Sequence, residues 1–213
     1  MAPDGLKVIL ITTVLLRVFS VVWYLYPVLP VKIITIVTAV VFLFNFFFFR
    51  DPDRAIPEGE NIIVSPADGK VIKIEEVDEP YFIKDSVRCV SIFLSVLNVH
   101  VNRIPADGIV SFLNYNKGKF LPAFADKASL DNEQSIIGIT HDKGKILFKQ
   151  IAGIIARRVI YHLELNDHVK KGERFGLIRY GSRVDIFIPE NVTLKVKLND
   201  SVFGGETIIG EFE

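Results

Sequence analysis

The sequence predicts a mainly β domain that is preceded by a hydrophobic helical hairpin. Two long apolar runs lie near the N-terminus, and a polar segment rich in proline follows them. Beyond that segment, short apolar runs alternate with Gly, Pro, Asn and Asp, a pattern typical of strands joined by turns. A chain of 213 residues suits one globular domain of ordinary size with a smaller element attached to it.

The helical hairpin is predicted over residues 1–49. Its two apolar runs include only three charged side chains, Lys7, Arg17 and Lys32. Each run has about the 20 residues that a helix needs to cross a hydrocarbon core. The PVLP segment between them has a proline at each end and favours a tight break. We therefore expect attachment to the cell membrane, either by two crossings or by a shallow hairpin in one leaflet, because Arg17 would be costly at the bilayer centre.

Basic residues flank both ends of this hairpin. Lys7 precedes most of the first run, and Arg50 and Arg54 follow the second. Because cytoplasmic segments carry an excess of Lys and Arg, this pattern favours a location of the N-terminus and of the residues after the hairpin on the cytoplasmic side. Lys32 in the short turn counts against this orientation.

Residues 50–61, RDPDRAIPEGEN, are predicted to form a linker, and residues 62–213 the β-rich domain. The run at 149–165, KQIAGIIARRVIYHLEL, is compatible with one amphipathic helix or with two buried strands. Its β-branched residues favour two strands with a short helical turn.

Composition argues against one class of partner. Acidic and basic side chains balance at 25 each, and no basic run is interleaved with aromatics, so we expect no nucleic acid as a partner.

The single cysteine, Cys89, lies in the apolar run VRCVSIFL, which indicates a buried structural thiol and a reducing compartment.

Two pairs of similar segments bear on the fold of the β-rich domain. NDHVKKGE at 166–173 and NDSVFGGE at 199–206 share Asn-Asp-x-Val-x-x-Gly-Glu, and PADG occurs at 66–69 and 105–108. Each of the two longer segments is a turn before an apolar strand. Such turns resemble those of the lipoyl and biotinyl carrier domains, which implies a barrel-sandwich hybrid fold.

A Gly-Ser pair interrupts the alternating strand IRYGSRVDIFIP, residues 178–189. The hydroxyl of Ser182 can attack the carbonyl of Gly181 if the backbone bends sharply, and glycine permits such a bend. The ester that results can eliminate to dehydroalanine, whose hydrolysis leaves a pyruvoyl group. By itself the dipeptide is more typical of a bulge or a bend.

Four ordered segments connect this dipeptide with a known family. FFFFRDPDRAIP, VSPADGKVIKIEEV, FLSVLNVHVNRIPADG and RYGSRVDIFIP, together with GKFLPAFADKASLDNEQ, resemble the short form of the phosphatidylserine decarboxylases over nearly the whole chain. Members of this family are pyruvoyl-dependent lyases, made as zymogens that cut themselves at a Gly-Ser bond with help from a Ser-His-Asp arrangement. The resemblance implies a β chain, 1–181, and an α chain, 182–213, that remain associated.

The resemblance also assigns roles to single residues. Gly181 and Ser182 match the cleavage pair, His100 in NVHVNR matches the base, and Asp68 in PADG matches the acid that orients the base. Neutral imidazole can take a hydroxyl proton near pH 7, and a carboxylate can stabilise the imidazolium that forms. Without the resemblance, Asp68 is typical of a turn and His100 of a satisfied strand histidine. Asp107 occupies an identical PADG turn and receives no role.

The implied reaction converts phosphatidylserine to phosphatidylethanolamine and carbon dioxide. The ketone derived from Ser182 would form a Schiff base with the substrate amine and act as the electron sink, so no pyridoxal phosphate is required. A diacyl substrate would explain the membrane hairpin. An ether-lipid analogue of phosphatidylserine is an alternative substrate. Some longer relatives carry a second histidine where this chain has Leu97, which leaves the donor of the product proton open.

Three further residues are candidates for substrate binding, namely Lys117, Lys119 and Phe120. Cations and aromatics mix in this segment as expected for a loop at the headgroup level, and an ordinary long surface loop is the alternative. No metal is expected, because the spacing of the other histidines matches no metal motif, those histidines being His141, His162 and His168.

Two other functions are compatible with the residues alone. A membrane-tethered lipoyl-like carrier or adaptor domain would use the fold for binding without catalysis. A membrane-bound hydrolase would use Ser182, His100 and Asp68 on another molecule. In both cases the chain would stay intact, whereas the decarboxylase hypothesis predicts cleavage.

Overall fold

A computed structural model describes residues 1–118, 132–153, 158–179 and 181–213. The chain divides into two units, Met1–Pro52 and Asp53–Glu213. The segment 50–61 therefore belongs partly to each unit, and its later residues lie in the β-rich one.

The first unit is a helical hairpin, as the apolar runs predict. A short 3-10 helix, Pro3–Gly5, leads into α1 (Leu6–Leu25), and α2 (Leu29–Phe48) follows the break. A proline in the first turn of α2 costs no hydrogen bond, because the first amides of a helix have no partner within it. Thr35 donates a hydrogen bond from α2 to the Phe19 carbonyl of α1 at 3.2 Å. Both helices are long and apolar enough to cross a membrane, which supports membrane association.

The second unit is mainly β. Within the described ranges its strands are β1 (Ile62–Val64), β2 (Gly69–Glu79), β3 (Asp85–Leu94), β4 (Val101–Arg103), β5 (Gly108–Asn116), β6 (Gln134–His141), β7 (Gly144–Ala152), β8 (Val159–Tyr161), β9 (His168–Val169), β10 (Arg174–Ile178), β11 (Ser182–Pro189), β12 (Val192–Leu194), β13 (Ser201–Val202) and β14 (Ile208–Phe212). The run at 149–165 contributes to the two strands β7 and β8, as its β-branched residues predict, and its residues 154–157 lie outside the described part.

The strands form curled antiparallel sheets of half-barrel shape. The largest sheet has eight strands in the order β13-β2-β3-β11-β7-β6-β5-β9, and two three-stranded sheets follow the orders β1-β14-β12 and β4-β10-β8. Register shifts between Val71 and Lys73 in β2 and between Val110 and Phe112 in β5 interrupt the large sheet. Such bulges bend a strand and increase its twist, which accounts for the curl.

The paired sequence segments form equivalent structures. Asn166 and Asn199 both have positive φ, at 72° and 75°. Their amides donate to the carbonyls of Val110 and Val71, each at 2.8 Å. The two short strands that follow, β9 and β13, pair with the first residues of β5 and β2. The β unit thus contains two similar halves, each built from a PADG turn, a bulged strand and an Asn-Asp turn.

The central strand β11 is buried on both faces. Val184 packs in one apolar cluster and Ile186 in the main core, while Phe187 on the other face packs in a further cluster with Cys89 and Leu147. Burying an apolar side chain of this size contributes about 1.5–3 kcal/mol, so this strand is firmly held. Cys89 is buried as predicted, and burial raises the pKa of its thiol to about 12.

Candidate active site

Ser182 begins β11, a central strand of the largest sheet. It lies opposite Leu94 of β3 on one side and Ala152 of β7 on the other, and it is fully buried. Within the described ranges its hydroxyl oxygen has no hydrogen-bond partner. An unsatisfied buried hydroxyl costs about 1–3 kcal/mol, so the Ser182 hydroxyl does not contribute to stability through hydrogen bonding.

Gly181 bends the backbone directly before this serine. Its φ of +78° lies in the left-handed region, where a side chain would be strained. Space is not the constraint, because the nearest neighbour that an added Cβ would meet is Val96, at 3.8 Å. Glycine is therefore required here for its backbone angle.

His100 faces the Gly181 peptide. Its Nε2 atom accepts a hydrogen bond from the Gly181 amide at 3.2 Å, and its Nδ1 atom lies 3.0 Å from the Asn98 carbonyl oxygen. An amide nitrogen donates and a carbonyl oxygen accepts, so these contacts select the neutral tautomer with its proton on Nδ1. The unprotonated Nε2 then lies beside Gly181, where a general base for the Gly181–Ser182 bond would be needed.

The backbone on both sides holds this imidazole in place. In the turn before it, Asn98 Oδ1 accepts hydrogen bonds from the amide and the hydroxyl of Ser95, at 2.9 and 2.7 Å. The carbonyl of His100 accepts from the Ile178 amide at 3.3 Å. His100 is fully buried, so its orientation is set by the fold and not by solvent.

The carboxylate of Asp68 is paired with Arg54. Nη2 of Arg54 lies 2.9 Å from both carboxylate oxygens, and the Gly204 amide donates to Oδ1 at 2.8 Å. Arg54 also donates to Glu206 at 3.1 Å. The resemblance predicts that Asp68 orients His100, but the Asn98 carbonyl occupies the Nδ1 position. A part for Asp68 in maturation stays a prediction.

Arg54 distinguishes the two PADG turns. Asp107 accepts a hydrogen bond from the Lys171 amide at 2.7 Å, and Lys171 occupies the same place in its turn that Gly204 occupies in the other. In the described part of the chain, Asp68 forms an ion pair and Asp107 does not. The same tetrapeptide therefore has an added cation in only one half of the β unit.

Comparison with known proteins decides the family. The sequence pattern described as phosphatidylserine decarboxylase matches residues 41–210. The chain is 41% identical over 212 residues to the phosphatidylserine decarboxylase proenzyme of Chlorobium luteolum, which covers 100% of both chains. It is 43% identical over 194 residues to that of Cytophaga hutchinsonii, covering 90% of this chain and 88% of the relative. It is 51% identical over 168 residues to that of Wolbachia pipientis wMel, covering 76% and 73%.

The chain belongs to the phosphatidylserine decarboxylase family. This confirms the function, the carboxy-lyase class and the pyruvoyl cofactor that the sequence predicts. The site also fits the formation of that cofactor. It combines a buried serine without a hydrogen-bond partner in the described ranges, a left-handed glycine before it, and an imidazole nitrogen that accepts a hydrogen bond from the amide of that glycine.

The predicted substrate-binding residues are only partly described. Lys117 is exposed, directly after the end of β5. Lys119 and Phe120 lie outside the described residues, so a headgroup loop in this decarboxylase stays a prediction. Leu97, at the position of the second histidine of some longer relatives, is 65% exposed.

The remaining histidines show no metal site of this decarboxylase. The ring of His141 stacks on Phe212, with Nε2 3.0 Å from the Glu60 carbonyl and Nδ1 accepting from the Lys143 amide at 3.0 Å. Among the residues that the structure describes, no group of three or more His, Cys, Asp or Glu side chains could hold a metal ion.

Sequence reasoning misses two residues that support this decarboxylase site. Arg54 lies in the proline-rich segment predicted as a linker, and Asn98 lies in a turn two residues before His100. A turn asparagine is a recognisable signal, because its side chain commonly bonds nearby backbone. The pairing of Arg54 with Asp68 has no local signal, since it depends on how the β unit folds.

Proposed function

We propose that this chain is a membrane-attached proenzyme that cuts its own Gly181–Ser182 bond and then decarboxylates phosphatidylserine to phosphatidylethanolamine. The observation that carries the proposal is the hydrogen bond from the Gly181 amide to His100 Nε2. It supports the proposal because it holds a neutral imidazole against the Gly181 peptide, one residue before a buried serine hydroxyl that has no hydrogen-bond partner in the described ranges.

Maturation begins at the Ser182 hydroxyl. Its oxygen attacks the Gly181 carbonyl carbon while Nε2 of His100 takes the proton. The peptide C–N bond breaks, the Ser182 nitrogen takes that proton, and an ester links the two residues. Loss of the Ser182 Cα proton then expels the Gly181 carboxylate, and the dehydroalanine left behind adds water and releases ammonia. The ketone at residue 182 becomes the N-terminal cap of the α chain.

The pyruvoyl group supplies a ketone that binds the substrate amine and withdraws electrons as carbon dioxide leaves. The chain's own residues hold this position and exclude water from it. Residue 182 lies between β3 and β7 with no exposed surface, which keeps competing hydrolysis away from the reacting atoms.

The α and β chains stay together after the cut. Strand β11 belongs to the α chain and pairs along its length with β3 and β7 of the β chain. Contacts away from the sheet add to this, because Asp68 accepts from the Gly204 amide and Arg54 pairs with Glu206. Separation would expose the buried apolar face of β11, which is strongly unfavourable.

The two apolar helices support attachment to the cell membrane, where the diacyl substrate resides. We place the β unit on the cytoplasmic side because Lys7, Arg50 and Arg54 flank the hairpin. The organisation proposed is a hairpin over 1–49, a linker over 50–61 and a catalytic domain over 62–213. Two similar halves in that domain support a barrel-sandwich hybrid fold.

The proposal is tested by Ser182→Ala. Without the hydroxyl there is no nucleophile, so we expect an uncut chain that releases no carbon dioxide from carboxyl-labelled phosphatidylserine in detergent micelles. Ser201→Ala is the control, because Ser201 is an exposed serine of the same chain segment and should mature normally. Normal decarboxylation by Ser182→Ala would remove the assignment of Ser182 as the source of the ketone.

A further inference from the structure

A buried carboxylate lies in line with Ser182 on one face of the sheet. Ser182 pairs with Ala152, whose amide donates to the Glu133 carbonyl at 3.0 Å. Because Gln134 lies opposite Ile151, the register places Glu133 opposite Ala152. Residues directly opposite on antiparallel strands project from the same face, so Ser182, Ala152 and Glu133 form a row.

The row is short. Neighbouring strands are about 4.8 Å apart, so the Cα atoms of Ser182 and Glu133 are separated by roughly 10 Å. Ala152 contributes only a methyl group between them. Val159, whose amide donates to Glu133, belongs to the buried cluster that includes both cross-strand partners of Ser182. An amine bound at residue 182 is therefore within reach of the Glu133 side chain.

Within the described ranges, the Glu133 carboxylate has hydrogen-bond donors but no ion-pair partner. It is 4% exposed, and its Oε1 atom accepts hydrogen bonds from the Tyr115 hydroxyl at 2.8 Å and the Val159 amide at 3.1 Å. Among the residues described, Oε2 accepts no hydrogen bond and no Lys, Arg or His forms an ion pair with Glu133. A buried carboxylate without a counter-ion is costly, so a cationic ligand is the partner that this position favours.

Other buried carboxylates near Ser182 are already neutralised. Asp68 is paired with Arg54. Asp185 is paired with Arg183 at 2.6 Å, and both project from the opposite face of β11 to Ser182. Among these carboxylates in the described part of the chain, Glu133 is thus the one without an ion-pair partner, and it is available to a substrate ammonium group.

Tyr115 connects Glu133 with solvent. Its side chain is 44% exposed, and burial of the hydroxyl together with the neighbouring Glu133 raises the pKa of Tyr115 to about 12. The hydroxyl keeps its proton at neutral pH, so it donates to Oε1 and offers a route for a proton to reach water. Two other charged or titratable groups in the described ranges act on the pKa of Tyr115, namely Arg158, which lowers it, and Tyr161, which raises it.

We propose that Glu133 binds the ammonium group of phosphatidylserine and takes one of its protons, so that the freed amine can bond to the ketone carbon at residue 182. The inference rests on the proposed function. An ammonium nitrogen has no lone pair until that proton leaves. After the transfer, the nitrogen forms its bond to the ketone carbon, and the ketone oxygen leaves as water with the two protons that remained on the amine.

The test uses Glu133→Gln in the full chain, in detergent micelles. We expect normal cleavage by intact mass and a wild-type rate with hydroxylamine, a largely neutral nucleophile near pH 7 that needs no base. With short-chain phosphatidylserine and cyanoborohydride, which fixes the lipid adduct by reduction, we expect adduct formation to be about 10²-fold slower near pH 7. The rate should recover towards wild type at about pH 10, where the ammonium group loses its proton unaided.

Glu79→Gln is the matched control. Glu79 is 3% exposed and pairs with Asp85 at the opposite end of β3 from Leu94, so it lies about 30 Å along the strand from the Ser182 pairing. This variant should form the lipid adduct at the wild-type rate. Wild-type adduct formation by Glu133→Gln near pH 7, or an equal deficit at every pH, would overturn the inference.

A second variant covers the case in which Glu133→Gln stays uncut. Glu133→Asp keeps the charge but shortens the side chain by one methylene group, so the carboxylate lies further from residue 182. Slower lipid adduct formation with normal hydroxylamine reaction would support the inference, and a wild-type rate, or a failure of this variant to mature, would overturn it. If wild-type protein does not react with hydroxylamine, the proposed function itself fails, which separates the two outcomes.

Discussion

The hydrogen bonds of His100 account for its protonation state as well as its orientation. Nδ1 faces a carbonyl oxygen and Nε2 faces an amide, which requires a neutral ring in the uncut chain. In hydrolytic triads a carboxylate holds the imidazole and stabilises its charged form. A carbonyl stabilises that charge less than a carboxylate does, so the imidazolium of His100 would be less stabilised here than in such a triad.

His100→Gln should leave mostly uncut precursor. Glutamine retains polar atoms in the buried site, but its amide cannot take the serine proton, so we expect cleavage to slow by about 10²-fold or more. Denaturing electrophoresis of samples taken after synthesis measures the cut fraction. His162→Gln, on a less buried histidine, is the control, and efficient maturation of His100→Gln would make the base role untenable.

Asp68→Asn and Asp107→Asn separate the two identical turns. The first leaves Arg54, whose side chain is 7% exposed, with only Glu206 as its ion-pair partner, and we expect slower maturation. The second weakens one hydrogen bond from a backbone amide, worth about 1 kcal/mol, and should mature normally. Pulse labelling followed by electrophoresis gives both rates. Equal maturation rates of the two variants would show that the Arg54–Asp68 ion pair does not affect maturation.

The sequence can suggest a role for a single residue when that residue lies within a long motif. Ser182, Gly181 and His100 are predicted from ordered segments, and the structure shows a hydrogen bond from the Gly181 amide to His100. Their supporting partners are not predictable in the same way. Arg54 lies 152 residues from Glu206 in the chain, so only the fold can show that they pair.

Among the larger elements, the helices and most strands follow from residue pattern. Apolar length and the prolines of PVLP predict the hairpin, and alternation predicts β11. The arrangement of strands into three sheets is not predictable from such patterns. Strand β1 pairs with β14 at the other end of the chain, a contact with no local signal.

The end of β2 illustrates how a turn can depend on one carboxylate. Glu79 accepts hydrogen bonds from the amides of Tyr81, Phe82 and Ile83, at 3.0, 2.8 and 2.7 Å. Burial alone would raise the pKa of Glu79, but the three backbone donors outweigh it and hold the pKa below its ordinary value. The unfolded chain therefore binds this proton more readily than the folded chain.

Stability from Glu79 should consequently be present above the ordinary glutamate pKa of about 4.3 and be lost as pH falls through the lower folded value. Glu79→Gln should reduce the free energy of unfolding by roughly 2 kcal/mol near pH 7, and by less as pH falls below about 4. Denaturant unfolding followed by circular dichroism at several pH values measures both. A difference that stays constant with pH would contradict the account.

At the scale of the whole molecule, the two similar halves of the β unit differ in their contacts. Both have a PADG turn and a matching Asn-Asp turn, but only the first is joined to Arg54. The Gly181–Ser182 bond lies between the two Asn-Asp turns, so the proposed cleavage would leave one turn on each chain. Strand pairing of β11 on both sides would then keep the cut protein together.

The measurement that tests the account most directly is the intact mass of purified protein that decarboxylates phosphatidylserine. The account predicts two components, residues 1–181 with a free carboxyl group and residues 182–213 with a pyruvoyl group in place of Ser182. A single uncut mass in fully active protein would contradict it.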